Sequence, residues 1–404
     1  MKKLLKRLIP IKFQKMKKHP NTQAVRIQTP RTTEKEHSTP LFLTSSFQFD
    51  SAEEMAATFA GELDNNIYTR FENPNVQEFI DKMCALEGAE AGFATASGMS
   101  AIFGCFMTFL SAGDHLISCR SVFGSTHTII TKYFHRWNID YSYADLNDTG
   151  SWESLIKPNT KMIYIETPTN PGLDIIDLEW LGKLAKKHNV ILVVDNCFAT
   201  PVLQKPAEYG ADLILHSATK WIDGQGRVLG GVVVGRKALI EELFTFCKNT
   251  GPSISPFNAW LLSKSLETLD VRIQRHCDNA EELVRSLEGH PKLNNIKYPF
   301  HLSHPMYETA KKQMKRGGAL VTFDLKGGLE SGKKFLNALQ MLTLTSNLGD
   351  TRSIASHPAS TTHAKLTLEE KEGVGITPGL IRISVGLENI EDIKADILQA
   401  LEKC

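Results

Sequence analysis

The sequence predicts an α/β protein: a mostly parallel, doubly wound sheet followed by a smaller α+β C-terminal domain. Three features carry that expectation. Short continuous apolar runs recur between residues 90 and 235, such as Val190 to Cys197 and Leu213 to Leu215, and suit strands covered on both faces. Helical patterns separate those runs. After Pro252 to Pro256 the pattern changes to one long helical stretch, about 259 to 287, and then to a looser mix of strands and helices. We therefore divide the chain into 1–62, a basic tail and extended arm; 63–255, the larger ligand-binding domain; and 256–404, the C-terminal domain.

Composition sets the class. The chain has 404 residues, 42% apolar and 23% charged, which is ordinary for a soluble globular protein of two or three domains. Residues 1–33 hold ten Lys/Arg and no acid, so the remainder carries 36 basic against 45 acidic residues, a net of −9. An acidic body argues against a nucleic-acid surface. The basic start lacks the apolar core of a secretory signal. A transit-like or membrane-surface segment is one reading, but Pro10 interrupts it as a helix, and we read a disordered tail. Cys84, Cys105, Cys119, Cys197, Cys247, Cys277 and Cys404 form no CxxC pair. That is a reduced, cytoplasmic pattern with neither a disulfide framework nor a metal site. No apolar run is long enough to span a bilayer.

In chain order, residues 20–60 contain Pro30, Pro40 and the run LFLTSSFQF, and read as an extended arm packed on something else, a second subunit included. Glu53 to Phe59 reads as a short helix behind Asp50-Ser51. In NIYTRFENPN, Tyr68 and Arg70 stand two apart and share one face of an extended segment. They offer a phenol and a fork of donors suited to phosphate, though a plain surface pair fits too. Asn73-Pro74 then starts a helix, Val76 to Leu86. The small-residue run ATASGMSAI, Ala94 to Ile102, opens an apolar helix reaching Leu110. Free N–H groups at such a start bind phosphate; a helix start of no special role looks the same. Strand His115 to Cys119 leads to Phe123, placed to stack on a flat ring or simply to fill a core. The helix after it contains Tyr133 and Phe134. Strand Met162 to Glu166 precedes Asn170, which Pro171 keeps from helical angles, leaving its amide free at a strand end. Helix Leu178 to His188 follows.

The stretch Ala211 to Gly231 turns abruptly from apolar to polar: His216, Ser217, Thr219 and Lys220, then a glycine-rich loop. A lysine at the end of a buried strand is poorly explained by packing. Desolvation lowers its pKa and makes it a nucleophile able to condense with an aldehyde. Asp195 ends the neighbouring apolar run, and both residues would lie at carboxyl ends of parallel strands, where such sheets bind ligands. A carboxylate that holds a proton on a pyridine nitrogen, with a lysine that holds an aldehyde, is the protein's share of pyridoxal phosphate chemistry.

Beyond 256 come the strand GALVTFDLKG, a helix near Ser331 to Leu339, the segment LTLTSNLGD and the strand GLIRISVGLEN before a C-terminal helix. Arg382 alternates with Ile381 and Ile383, so it takes the opposite face, as a carboxylate clamp or on a solvated side. Loops Asn347–Asp350 and His357–Ser360 are placed to close over a site. The sequence holds no internal repeat, P-loop, GxGxxG or HExxH.

In order and spacing, YTRFENPN, ASGMSAI, ETPTNP, VVDN, HSATK, SNLGD, HPAS and LIRISVGLE resemble the pyridoxal-phosphate enzymes of cysteine and methionine metabolism. The likeness covers about residues 20 to 400. It implies the transferase fold of the aspartate aminotransferase type. It further implies that Lys220 carries the cofactor, Asp195 pairs with its ring nitrogen and Asn170 lies near its ring hydroxyl. Phe123 would stack on the ring. Gly98 and Met99 N–H, with the Ser217 and Thr219 hydroxyls, would bind the phosphate. Tyr68 and Arg70 would reach that phosphate from a neighbouring subunit, Tyr68 with a share in catalysis, in a dimer and by family habit a homotetramer. Arg382 and the Asn347 loop would hold the substrate carboxylate.

Three positions depart from many family members: Phe123 replaces tyrosine, Gln225 replaces histidine and Asn347 replaces serine. With no hydroxyl at 123, proton transfer falls to Lys220 or Tyr68. The segments SVFGSTHT, GQGRVLGG and NLGDTRS look most like the O-succinylhomoserine sulfhydrylase branch. The implied reaction is γ-replacement in methionine biosynthesis, with sulfide or a thiol as second substrate. Cystathionine γ-synthase, O-acetylhomoserine sulfhydrylase and methionine γ-lyase are alternatives on the same scaffold.

Overall fold

A computed structural model describes residues 18–404 except 147, 362–370 and 372–374. The basic start read as a disordered tail therefore lies outside the described residues up to position 17. The larger sheet contains β1 (Ala91–Thr95), β2 (His115–Cys119), β3 (Asp140–Ala144), β4 (Thr160–Glu166), β5 (Ile191–Asp195), β6 (Leu213–Ser217) and β7 (Gly231–Gly235). Their order is β1-β7-β6-β5-β4-β2-β3. From β6 to β3 all pairings are parallel, whereas β7 runs antiparallel to both β1 and β6. The link from β6 to β7 has no crossover helix, and only an antiparallel neighbour permits so direct a return. Leu192, Val193, Val194, Leu213 and Ile214 are fully buried, which is why these strands read as unbroken apolar runs rather than alternating ones.

Helix ends follow the sequence chemistry. Asn73 caps helix Pro74–Glu87 by accepting from Asn75 N at 3.0 Å, and Gly88 at φ 75° ends it. Asp177 accepts from Trp180 N at 2.9 Å to start helix Leu178–His188. The expected single helix from 259 to 287 is two, Pro256–Leu266 and Leu269–Leu287. The break at Glu267–Thr268 carries no Gly or Pro; Arg272 holds it by donating to Ser265 O and Thr268 Oγ1. Past Phe123 the helix is also interrupted: Gly124–Thr128, a wide turn at Ile129–Tyr133, then a tight turn Phe134–Trp137 ending at Asn138, φ 54°. Helix Lys237–Thr250, which the sequence reading passed over, packs against β1 and the helix Gly98–Phe109.

The smaller sheet contains β8 (Leu293–Lys297), β9 (Leu320–Leu325), β10 (Thr343–Leu344), β11 (Ile354–Ser356) and β12 (Leu380–Ser384), in the order β10-β11-β12-β9-β8. Its core includes Phe323, Phe335, Ile381, Ile383 and Ile397. The first core holds side chains from Ala24 through Cys277 together with Leu348. Part of the N-terminal arm docks on its own chain: Glu78 accepts from Thr29 N at 2.9 Å and from the Thr39 hydroxyl, and Asn75 accepts from Phe42 N at 2.7 Å.

Candidate active site

Ser217 ends β6, and the chain then turns so tightly that Lys220 N reaches Ser217 O at 3.2 Å and Gly224 N reaches Lys220 O at 2.8 Å. Arg272 fixes this turn from below, donating to Trp221 O at 2.7 Å and Ile222 O at 3.1 Å. Lys220 Nζ donates to Asn347 Oδ1 at 2.9 Å. Burial lowers the pKa of this amine; Cys197 opposes that in part, and the nearby Arg382 charge adds a smaller lowering. Among the described residues no carboxylate pairs with it to offset the effect of burial, which favours the neutral, nucleophilic form.

Beside the lysine stands an anion cradle. Ser97 caps helix Gly98–Phe109 by accepting from Ser100 N at 3.1 Å. Gly98 lies so near β6 that a Cβ there would stand 2.7 Å from Ser217 Cβ. The first-turn N–H groups of Gly98 and Met99 have no intrahelical partner by construction. Gly98 and Ser217 thus meet, with Met99 and Thr219 adjacent to them in the chain. The Thr219 hydroxyl exchanges hydrogen bonds with the Gly230 backbone at 3.2 and 3.3 Å.

Asp195 ends β5, next to β6. Its Oδ1 accepts from Cys197 N at 3.0 Å and its Oδ2 from the Tyr164 hydroxyl at 3.4 Å. Burial raises its pKa, opposed by the Cys197 N–H, His216 and Tyr164. Behind it, Asn196 donates to Glu87 Oε1 at 2.9 Å, and His216 Nε2 lies 2.6 Å from the same oxygen. This buried network escaped the sequence reading, because Glu87 lies more than 100 residues from both partners. Phe123 is 44% exposed, and its N–H donates to Glu166 Oε1 at 2.7 Å.

Asn170 does not keep a free amide. Its Oδ1 accepts from Arg382 Nη1 at 2.9 Å, the two residues standing 212 positions apart. Pro171 does hold it out of a helix, but the strand end faces the C-terminal domain, and an arginine takes the oxygen. Arg382 is itself buried, not on a solvated face, and burial pushes its guanidinium down to about 10, still charged at neutral pH. Two cations therefore meet two amides across the domains: Lys220 with Asn347, and Arg382 with Asn170.

Tyr68 and Arg70 make a set of contacts of their own. Tyr68 pairs with Ser46 in an isolated bridge and then enters a turn, Phe71 N to Tyr68 O at 2.8 Å. The expected extended segment is therefore bent, yet the Arg70 guanidinium still lies 5.6 Å from the Tyr68 ring centre. Arg70 also donates to Lys248 O and stacks on Phe71. Among the described residues, none of these bonds goes to Lys220, Ser217 or Gly98.

The arrangement fits a flat, phosphorylated pyridine aldehyde. It offers an amine with a depressed pKa, a carboxylate at the end of the adjacent strand on the same sheet edge, a helix start that admits an anion, and an exposed aromatic ring. The model for Cys/Met metabolism PLP-dependent enzymes matches residues 21–402. The chain belongs to that family. It is 47% identical over 381 residues to an O-succinylhomoserine sulfhydrylase of Pseudomonas aeruginosa, covering 94% of each chain. It is 45% identical over 367 residues to an L-methionine gamma-lyase of Fusobacterium nucleatum, covering 90% of this chain and 93% of that one. A solved structure assigned as O-acetylhomoserine (thiol)-lyase from Campylobacter jejuni superposes with a TM-score of 0.91 at 33% identity, over 95% of this chain and 100% of that one. That protein carries a pyridoxyl-lysine phosphate. As a member of the family, this chain is a pyridoxal-phosphate-dependent enzyme of sulfur amino-acid metabolism with the α/β transferase fold. Among the described residues, no helix is long and apolar enough to cross a membrane.

Proposed function

We propose that the protein catalyses γ-replacement, converting O-succinylhomoserine and sulfide to homocysteine and succinate. The observation that carries this reading is the 47% identity with a sulfhydrylase of that name over 94% of both chains, joined to a site suited to the cofactor. Bound pyridoxal phosphate supplies an electron-accepting ring and a covalent hold on the substrate amine. Lys220 would tether its aldehyde, Asp195 would keep its ring nitrogen protonated, and Phe123 would stack on its face. Gly98, Met99, Ser217 and Thr219 hold its phosphate. Asn170 stays near the ring while its oxygen fixes Arg382, and Arg382 with the Asn347 loop receives the substrate α-carboxylate.

Once the substrate amine displaces it, Lys220 Nζ removes the α-proton; burial, by lowering its pKa, favours the neutral form that does so. A β-proton then leaves, the Cγ–O bond breaks and succinate departs. Sulfide forms the new C–S bond at Cγ, and protons return to the carbon skeleton. Phe123 has no hydroxyl, so these transfers rest on Lys220 and on Tyr68 of a second copy. Within one chain Arg70 donates to Lys248 O and stacks on Phe71 rather than bonding to the Lys220 cluster, which supports a dimer in which each copy completes the other's site, within a cytoplasmic homotetramer.

Methionine γ-lyase activity is the second reading, favoured by the 45% identity with such enzymes. Product identification separates them. The protein, loaded with cofactor, is given succinyl or acetyl homoserine esters with sulfide or cysteine, and methionine alone. The proposal expects homocysteine and succinate from the succinyl ester with sulfide. Homocysteine from the acetyl ester only, cystathionine from cysteine, or methanethiol and 2-oxobutanoate from methionine as the main activity would overturn it.

A further inference from the structure

One buried acid in the site has no role in the reaction above. Glu166 ends β4, and the parallel register sets it directly beside Asp195 on β5. It is 5% exposed. The Tyr164 hydroxyl stands 3.5 Å from Glu166 Oε1 and 3.4 Å from Asp195 Oδ2, between the two carboxyl groups. Glu166 Oε1 also accepts the Phe123 N–H at 2.7 Å. Phe123 is the N-cap of helix Gly124–Thr128, which has no side-chain cap of its own. Glu166 is therefore the side chain that ties the backbone of this residue to the sheet.

Two adjacent carboxyl groups in so buried a place do not both ionise cheaply. Burial pushes Glu166 well above the usual carboxylate range, and the charge of Asp195 pushes it further. Asp195 has the Cys197 N–H and the His216 charge to favour its ionised form. Glu166 is therefore the member of the pair whose protonation is favoured. A neutral carboxyl still accepts at its carbonyl oxygen, which is what the Phe123 N–H requires.

We propose that Glu166 is a positioning residue of the cofactor site: as a hydrogen-bond acceptor it anchors the Phe123 backbone, and so holds the Phe123 ring over the ground in front of Asp195. The inference rests on the reading that Phe123 and Asp195 face the cofactor ring. Its distinguishing mark is that amide replaces acid without loss, while an apolar isostere does not.

The test measures the dissociation constant of pyridoxal 5'-phosphate and the visible circular dichroism of the bound cofactor, which reports how its ring is held. Glu166→Gln keeps both within about twofold of the parent. Glu166→Leu leaves the Phe123 N–H unpaired and weakens cofactor binding by about tenfold or more, with an altered dichroic band. Because Glu166 acts through Phe123, adding Glu166→Leu to Phe123→Ala weakens binding no further. A Glu166→Gln variant as impaired as Glu166→Leu overturns the proposal, as do additive losses in the double variant. If Glu166→Leu does not fold, Glu166→Gln decides alone: a tenfold loss refutes the acceptor role and parental values uphold it. Failure of the underlying reading looks different, since Phe123→Ala and Asp195→Ala would then leave the cofactor spectrum and affinity untouched.

Discussion

Lys220 Nζ donates to Asn347 Oδ1 at 2.9 Å, from one domain to the other. The partner is an amide, so it orients the amine without the charge that would keep it protonated. Replacing it by a carboxylate tests this. Asn347→Asp places an opposite charge within hydrogen-bond reach and raises the amine pKa by about one unit or more. The pH at which the cofactor-free protein reacts with pyridoxal phosphate then moves up by that amount. An unchanged pH profile contradicts the assignment of Asn347 as the partner of the working amine.

Tyr68 and Arg70 lead to a mixing experiment. A Lys220→Ala variant and an Arg70→Ala variant are each inactive. In a 1:1 mixture allowed to exchange subunits, half of the dimers are hybrids, and each hybrid has one intact site of two. Activity returns to about one quarter of the parental value. No recovery after demonstrated exchange means that each chain builds its own site.

Arg272 is a buried arginine whose donors serve Trp221 O, Ile222 O and Ser265 O. Gly224 approaches it so closely that a Cβ would collide with the guanidinium. Arg272→Met strands these carbonyls and destabilises the protein by about 3 kcal/mol or more. The loss is read from denaturant unfolding, together with weaker cofactor retention, because the affected turn is the one that carries Lys220. A variant of parental stability removes Arg272 from this role.

Buried histidines make the fold sensitive to acid, and two of them, His115 and His276, are lowered furthest among the described residues. His115 sits between Thr160 Oγ1 at 2.8 Å and Ser142 Oγ at 2.9 Å, and burial lowers it to about 4. His276, bonded to Val385 O at 2.7 Å, is likewise lowered to about 4 by burial. Both are neutral in the folded chain, whereas in the unfolded chain they gain protons below about 6.5. The unfolded state then binds more protons, so their contribution is fully present above about pH 6.5 and is lost as pH falls toward 4. Unfolding midpoints measured across that window fall with pH. His115→Gln flattens part of the slope; a slope identical to the parent's contradicts the assignment.

The larger domain was legible because buried parallel strands leave a compositional mark: the runs ending at Asp195 and Ser217 define the sheet edge that carries the site. The local chemistry of Lys220, Ser217 and Gly98 could be read the same way, since each lies within a few residues of a strand end or helix start. Partners far apart in sequence left no such trace. Nothing near Asn170 announces that Arg382 will take its amide oxygen, and nothing near Glu87 announces His216. Glu166 read as the last residue of a buried strand, which it is. Only the β4–β5 register shows that it stands against Asp195. The helix break at Glu267–Thr268 was invisible because it carries no Gly or Pro; Arg272 bonds to it locally while its guanidinium also reaches Trp221 and Ile222 across the fold.

The most direct measurement locates the cofactor on the chain. Protein loaded with pyridoxal phosphate is reduced with borohydride, digested and mapped by mass spectrometry. The account predicts a phosphopyridoxyl group on Lys220 and its loss in Lys220→Ala. A group on another lysine, or visible colour that survives in Lys220→Ala, would contradict it.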